Sequence, residues 1–366
     1  MDNLFFRIRA LAAFWDIISR GDFMLGKTTI ALERRLAEFL GVKYVLGVAS
    51  CTDALMLSLK ACEVEPGDEV IMPALGVMPT AEAAVWIGAR PVFVDVREES
   101  LTIDHAKIER AITSRTKAII VVHLTGRMAD MEEISRIAHR KSIPVIEDAA
   151  RAIGSRFKNY SPGHYGTAAC FSFNPSKILP AYGDGGAVVT NDPLLAEKVR
   201  LMRTYGSQNY KEIGMDYPVI GIASRLSSFQ AALLNLRVEN IDESIEAARR
   251  NYFRYDQLLS GIEGLRLPTA PPEYSLNGYQ YIALVPDRDK LLSHLKEHGV
   301  VIRVGEYRFP LPYFEALLYL GYQPGDFPIA EKICQEAIIL PTLGTAAERN
   351  LEKTADLTKE FLSKHR

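Results

Sequence analysis

Lys177 closes the run Phe171-Ser172-Phe173-Asn174-Pro175-Ser176-Lys177, and 29 residues earlier the apolar stretch Pro144-Val145-Ile146 leads into Glu147-Asp148-Ala149-Ala150. A lysine amine condenses with an aldehyde to give a Schiff base, and a carboxylate at a strand end can keep a pyridine nitrogen protonated so that its ring accepts electrons. An amine and an acid arranged in this way are what pyridoxal phosphate (PLP) demands of a protein. Each alone says little, because a strand-terminal Asp is more often a helix cap and a lone Lys a solvated charge. The pair restricts the chemistry far more than either member.

Three further segments keep a fixed order around the pair: Ser50-Cys51-Thr52-Asp53-Ala54-Leu55, Gly67-Asp68-Glu69-Val70-Ile71-Met72-Pro73 and Gly183-Asp184-Gly185-Gly186-Ala187-Val188-Val189-Thr190. With them the chain resembles the sugar aminotransferases of the DegT/StrS type, members of the fold-type-I group of PLP enzymes. The resemblance is densest from residue 26 to residue 230. It implies that Lys177 carries the cofactor covalently and then shuttles a proton, while Asp148 pairs with the pyridine nitrogen. It also implies that Ser172 and the Ser50-Cys51-Thr52 turn hold the phosphate, where first-turn amides and the helix dipole attract an anion. The expected substrates are a keto-sugar, nucleotide-linked, and an amino donor such as L-glutamate or L-glutamine. The expected assembly is a homodimer with shared active sites.

Several positions depart from that pattern. Arg151 stands where relatives carry a Gln that touches the cofactor's phenolic oxygen, and it can donate the same hydrogen bond while adding a fixed charge. Cys51 replaces a Gly in the phosphate turn, Val77 replaces a stacking aromatic, and Ala223 replaces an Asn that reaches the neighbouring subunit's phosphate. Arg127 and Arg225 are candidates for a substrate carboxylate or phosphate, with a salt bridge as the competing role. Tyr307 matches an active-site loop. His123 reads as a satisfied core histidine rather than a base. These departures keep two alternatives open: a PLP enzyme acting on a cyclitol or other non-nucleotide ketone, or eliminating; and a degenerate regulatory homologue.

Seven short apolar runs must position these residues: 44–48, 69–72, 91–94, 118–122, 145–146, 170–173 and 187–189. Several lack polar interruptions, as strands covered on both faces do, and helical patterns fall between them, so an α/β fold with a mostly parallel seven-stranded sheet is expected. Thr52-Asp53 reads as one helix cap and the residues around Pro79-Thr80 as the start of another helix. From 227 to 260 no Pro or Gly interrupts a helical pattern, which predicts a long helix or helix pair leaving the large domain. Strands at 279–285 and 300–304 and helices at 287–298 and 346–364 predict a small C-terminal α/β domain. The resulting division is an N-terminal helical arm (1–22), a large PLP-binding domain (23–240) and the small domain (241–366).

The 366 residues carry a net charge of −2, which gives no basic footprint for nucleic acid or an anionic membrane. Arg7, Arg9 and Asp16 interrupt the apolar N-terminal residues, so an amphipathic helix is expected there rather than a signal segment or membrane span. Four scattered cysteines without a metal-ligand cluster favour free thiols in the cytoplasm.

Overall fold

The computed structural model describes residues 4–208, 216–300, 302 and 307–364, the side chains of 345–349 apart. Its strands in chain order are β1 Tyr44–Val48, β2 Glu69–Pro73, β3 Arg90–Val94, β4 Thr116–Val122, β5 Val145–Asp148, β6 Arg156–Phe157, β7 Ala168–Ser172, β8 Gly186–Thr190, β9 Tyr274–Ser275, β10 Tyr281–Leu284 and β11 Ala337–Leu340. The seven apolar runs all enter one sheet, ordered β1-β8-β7-β5-β4-β2-β3. Only β8 runs against its neighbours; the remaining pairings are parallel. The carboxyl ends of β1, β7, β5, β4 and β2 therefore share one edge with the start of β8.

The unbroken apolar runs reflect burial on both faces. Val48, Met72, Ile120, Ile146 and Cys170 point into one layer, against the helices Cys51–Ala61, Met78–Trp86 and Pro193–Met202. Val45 and Ala169 point into the opposite layer with Lys27–Leu40 and Ser228–Val238, and Ile71, Ile119 and Val145 point there with His105–Ala111 and Met131–Arg140. Strand residues alternate in facing by a period of two, so Asp148 shares the face of Ile146 and Glu147 that of Val145.

The stretch 227–260 forms two helices, Ser228–Val238 and Ile241–Leu259. The second packs with β10, β11, Arg288–Glu297 and Thr345–Lys364 around Tyr255, Tyr281, Leu291 and Phe361. Between β10 and β11 the chain returns to the large sheet: the Leu311 N–H donates to the Ala74 carbonyl at 2.7 Å. There too, the buried Asp95 carboxylate accepts from Ile329 and Ala330 at 3.2 and 2.9 Å, at the start of Pro328–Glu336. Apart from Val300 and Ile302, the strand expected at 300–304 lies outside the described residues. Among the described residues no helix is long and apolar enough to cross a membrane.

Candidate active site

Asp148 ends β5 with its side chain 3% exposed. Its Oδ2 accepts the hydroxyl of Thr80, itself fully buried, at 2.7 Å, and its Oδ1 accepts the Ala150 N–H at 3.2 Å. No helix follows; the chain turns through Ala149–Arg151, so this carboxylate is not the helix cap that a strand-end Asp often is. The sequence alone does not mark Thr80 as a site residue. Its signal is its place on Met78–Trp86, the helix that opens five residues past the end of β2 and must cross the same edge.

The turn expected to hold a phosphate is assembled across three strands. Val48 pairs with Gly186, and Gly186 pairs with Ser172, so the end of β1, the start of β8 and the end of β7 lie side by side. The Ser50–Cys51 peptide folds over Gly186 so closely that a Cβ there would stand 2.4 Å from the Ser50 carbonyl carbon and 2.7 Å from the Cys51 nitrogen. Only glycine permits this approach. Ser50, extended at φ −157°, ψ 168°, caps Cys51–Ala61 by accepting the Asp53 N–H at 3.0 Å. The cap is thus Ser50, not the Thr52-Asp53 pair read from sequence, and Cys51 and Thr52 occupy the first turn, whose N–H groups have no helical acceptor and face an anion favourably. Ser172 Oγ accepts the Asn174 N–H at 3.3 Å, which leaves its own hydroxyl proton for a ligand.

Cys51 sits between these parts. Its thiol donates to the Cys170 carbonyl at 3.4 Å, and Cys170 pairs with Asp148 across β5 and β7. Burial pushes the Cys51 thiol well above its ordinary range; the Asp148 carboxylate and Cys170 add to this and Lys177 opposes it. The Cys51 side chain therefore adds bulk at this turn, not negative charge. Lys177 lies on the half-buried loop after β7, its Nζ 5.3 Å from the centroid of the Tyr279 ring. One wall of a cavity of about 720 Å³ runs past it, lined also by Ser176, Tyr182, Arg237 and Asn251.

The other sequence candidates are distributed more widely. Val77 is half-buried and extended (φ −115°, ψ 146°) immediately before Met78–Trp86. Ala223 is exposed and forms a bridge with Thr204, while its neighbour Ser224 donates to Asp53 Oδ2 at 2.7 Å, fixing this segment to the phosphate turn. Arg225 turns to Tyr205, donating to its hydroxyl at 3.1 Å. Arg127 is buried and donates to the main-chain carbonyls of Glu99, at 2.9 Å, and Thr269. Tyr307 is 1% exposed and its hydroxyl accepts from Arg151 at 2.5 Å. His123 accepts the Ala129 N–H on Nδ1, which leaves its proton on Nε2, bonded to Glu147 at 2.7 Å.

An amine, a buried acceptor carboxylate and an anion cradle around one sheet edge fit PLP, which presents an aldehyde, a ring nitrogen and a phosphate. The model of the DegT/DnrJ/EryC1/StrS aminotransferase family matches residues 8–356. The chain is 39% identical to the "pleiotropic regulatory protein" of Geobacillus stearothermophilus, over 94% of this chain and 92% of that one. It is 37% identical to a UDP-N-acetyl-3-dehydro-alpha-D-glucosamine 3-aminotransferase of Acidithiobacillus ferrooxidans, over 97% and 94% respectively. The crystal structure of S. venezuelae DesV in complex with a ketimine intermediate superposes with a TM-score of 0.91 at 33% identity, covering 97% of this chain and 95% of that one.

Proposed function

This chain belongs to the DegT/DnrJ/EryC1/StrS aminotransferase family, and on that premise we propose that it moves an amino group from an amino acid to a 3-keto sugar carried on a nucleoside diphosphate. The observation that carries the reading is the buried Asp148 carboxylate, oriented by Thr80, on the same edge as Lys177 and the Ser50–Cys51 cradle. PLP, when bound, supplies the carbonyl that takes up the amino group and the ring that withdraws electrons from the carbon losing its proton.

The residues then divide the labour. The Asp148 carboxylate would keep the pyridine nitrogen protonated, and the Thr80 hydroxyl fixes its Oδ2. The first-turn amides of Cys51 and Thr52, with the Ser50 turn and Ser172, bind the phosphate. The Lys177 amine would hold the cofactor's aldehyde carbon, and its Nζ would carry the proton between the donor and acceptor carbons. Arg127 and Tyr307 are engaged in internal hydrogen bonds. Arg225, on the segment that carries Ala223, is the proposed substrate contact; its own partner Tyr205 is 48% exposed, at the surface.

L-Glutamate or L-glutamine is the proposed donor. A homodimer is supported by the apolar stripe Leu4, Ile8, Leu11, Trp15 and Ile18, each at least half-exposed along Leu4–Arg20. A cytoplasmic setting is in keeping with four free cysteines. The test is incubation with UDP- and dTDP-linked 3-keto hexoses and L-glutamate, with mass spectrometry for the amino sugar and borohydride reduction to map the PLP-bearing peptide. Amino sugar formed and PLP trapped on Lys177 are expected. Absence of both overturns the reading.

A further inference from the structure

Arg151 lies three residues beyond Asp148, yet its guanidinium is engaged at the junction with the C-terminal region. Its Nη1 donates to Gln280 Oε1 at 2.9 Å and to the Tyr307 hydroxyl at 2.5 Å, and its Cζ is 5.8 Å from the centroids of both the Tyr279 and Tyr307 rings. The main chain is fastened at the same place. Nδ2 of the fully buried Asn277 donates to the carbonyls of Arg151 and Ile153 at 2.7 and 2.9 Å, while its Oδ1 accepts the Tyr279 N–H at 3.0 Å. Gly126, at φ +85°, admits this arrangement, since a Cβ there would stand 2.1 Å from Asn277 Oδ1. On its other side Tyr279 takes the Thr342 hydroxyl on its carbonyl at 2.6 Å and presents its ring to Lys177 Nζ at 5.3 Å.

We propose that Arg151 is a positioning residue for Lys177: it seats the Tyr279 ring against which the Lys177 amine lies, and its effect on the reaction runs through that ring. Lys177 sits on a loop, so a wall that fixes where its amine rests matters more than it would on a helix or strand. A rigid guanidinium fork serves two oxygen acceptors and two ring faces together, which a glutamine at this position cannot do. The proposal rests on the reading of Lys177 as the cofactor's lysine, and the test separates the two.

Arg151→Gln, Tyr307→Phe and the double variant are compared in two assays. In the PLP-free protein, the rate at which an amine-selective acylating reagent labels Lys177, followed peptide by peptide, is expected to change about threefold in Arg151→Gln, the size of one lost aromatic contact. In the PLP-loaded enzyme, kcat is expected to fall about tenfold while the KM for L-glutamate stays within about twofold. Tyr307→Phe should move both readouts in the same direction, and the double variant should be no worse than Arg151→Gln. Additive losses, or a raised KM or PLP Kd with kcat intact, would place Arg151 on a ligand and overturn the proposal. If Arg151→Gln does not fold, Tyr307→Phe and Gln280→Ala decide, and unchanged labelling in both overturns it. If Lys177 were not the cofactor's lysine, borohydride mapping would name another residue while the labelling change persisted.

Discussion

Glu147 and Asp148 are adjacent acids on β5 that face opposite sides of the same sheet. Glu147 is fully enclosed: Oε2 binds His123 Nε2 at 2.7 Å, and Oε1 accepts the N–H groups of Gly163 and Gly166, each at 2.9 Å. Asp148 is nearly as buried, but the groups on it are Thr80 and Ala150, and it lies at the edge where Lys177, Ser172 and the Ser50 turn converge. One carboxylate takes three hydrogen bonds from the fold; the other takes two and keeps more capacity for a ligand. Burial of an acid alone does not mark a functional group, then; Asp148 differs by its place at the edge where Lys177 and the Ser50 turn meet and by the greater acceptor capacity it keeps.

Variants that interchange these roles test the contrast. Glu147→Ala should give the largest effect, on stability: it strands three donors in a dry interior, and a loss of about 3–5 kcal/mol in denaturant unfolding is expected, while the fraction that folds retains near-normal turnover. A stability loss below about 1 kcal/mol would mean that the contrast is misdrawn. Asp148→Asn should behave in the opposite way. The neutral amide still accepts from Thr80, so the melting temperature should barely move, but kcat should drop about 100-fold or more, equivalent to about 2.7 kcal/mol of lost transition-state stabilisation. Near-normal kcat would reduce Asp148 to a structural acid like its neighbour.

Val77→Phe combined with Ala223→Asn sharpens the site side of the comparison. A stacking ring and a phosphate hydrogen bond contribute about 1 kcal/mol each and rarely add fully when transplanted, so the PLP Kd should fall about tenfold by equilibrium dialysis. Unchanged binding would show that other groups have taken over those contacts. The smallest effect is expected for Thr80→Val, which removes one hydrogen bond to a carboxylate: about 1–2 kcal/mol, read as a decline of about tenfold in kcat, with Thr80→Ser restoring most of it. Equal loss in both variants would assign Thr80 to packing alone.

The seven strands, the two-face burial and the acid–amine pair were legible because each rests on local pattern: unbroken apolar runs for strands, a strand end for Asp148, a serine-bearing run for Lys177. Ser50, Thr52 and Asp53 are all good capping types, and only backbone torsion distinguishes the residue outside the helix, Ser50, from those within it. Arg151 was legible as a departure but not as a contact. Its partners Tyr279, Gln280 and Tyr307 come from chain more than a hundred residues away.

By itself, then, the sequence determined which chemical groups exist, in what order, and on which kind of element each stands, since residue type and periodicity are properties of short windows. Which groups meet was decided by the strand order β1-β8-β7-β5-β4-β2, in which Asp148 finds Thr80 from 68 residues away and Gly186 lies beneath the Ser50–Cys51 peptide. Such meetings depend on how strands pair and how helices cross the sheet, and these choices minimise the free energy of the whole packed chain rather than of any window within it.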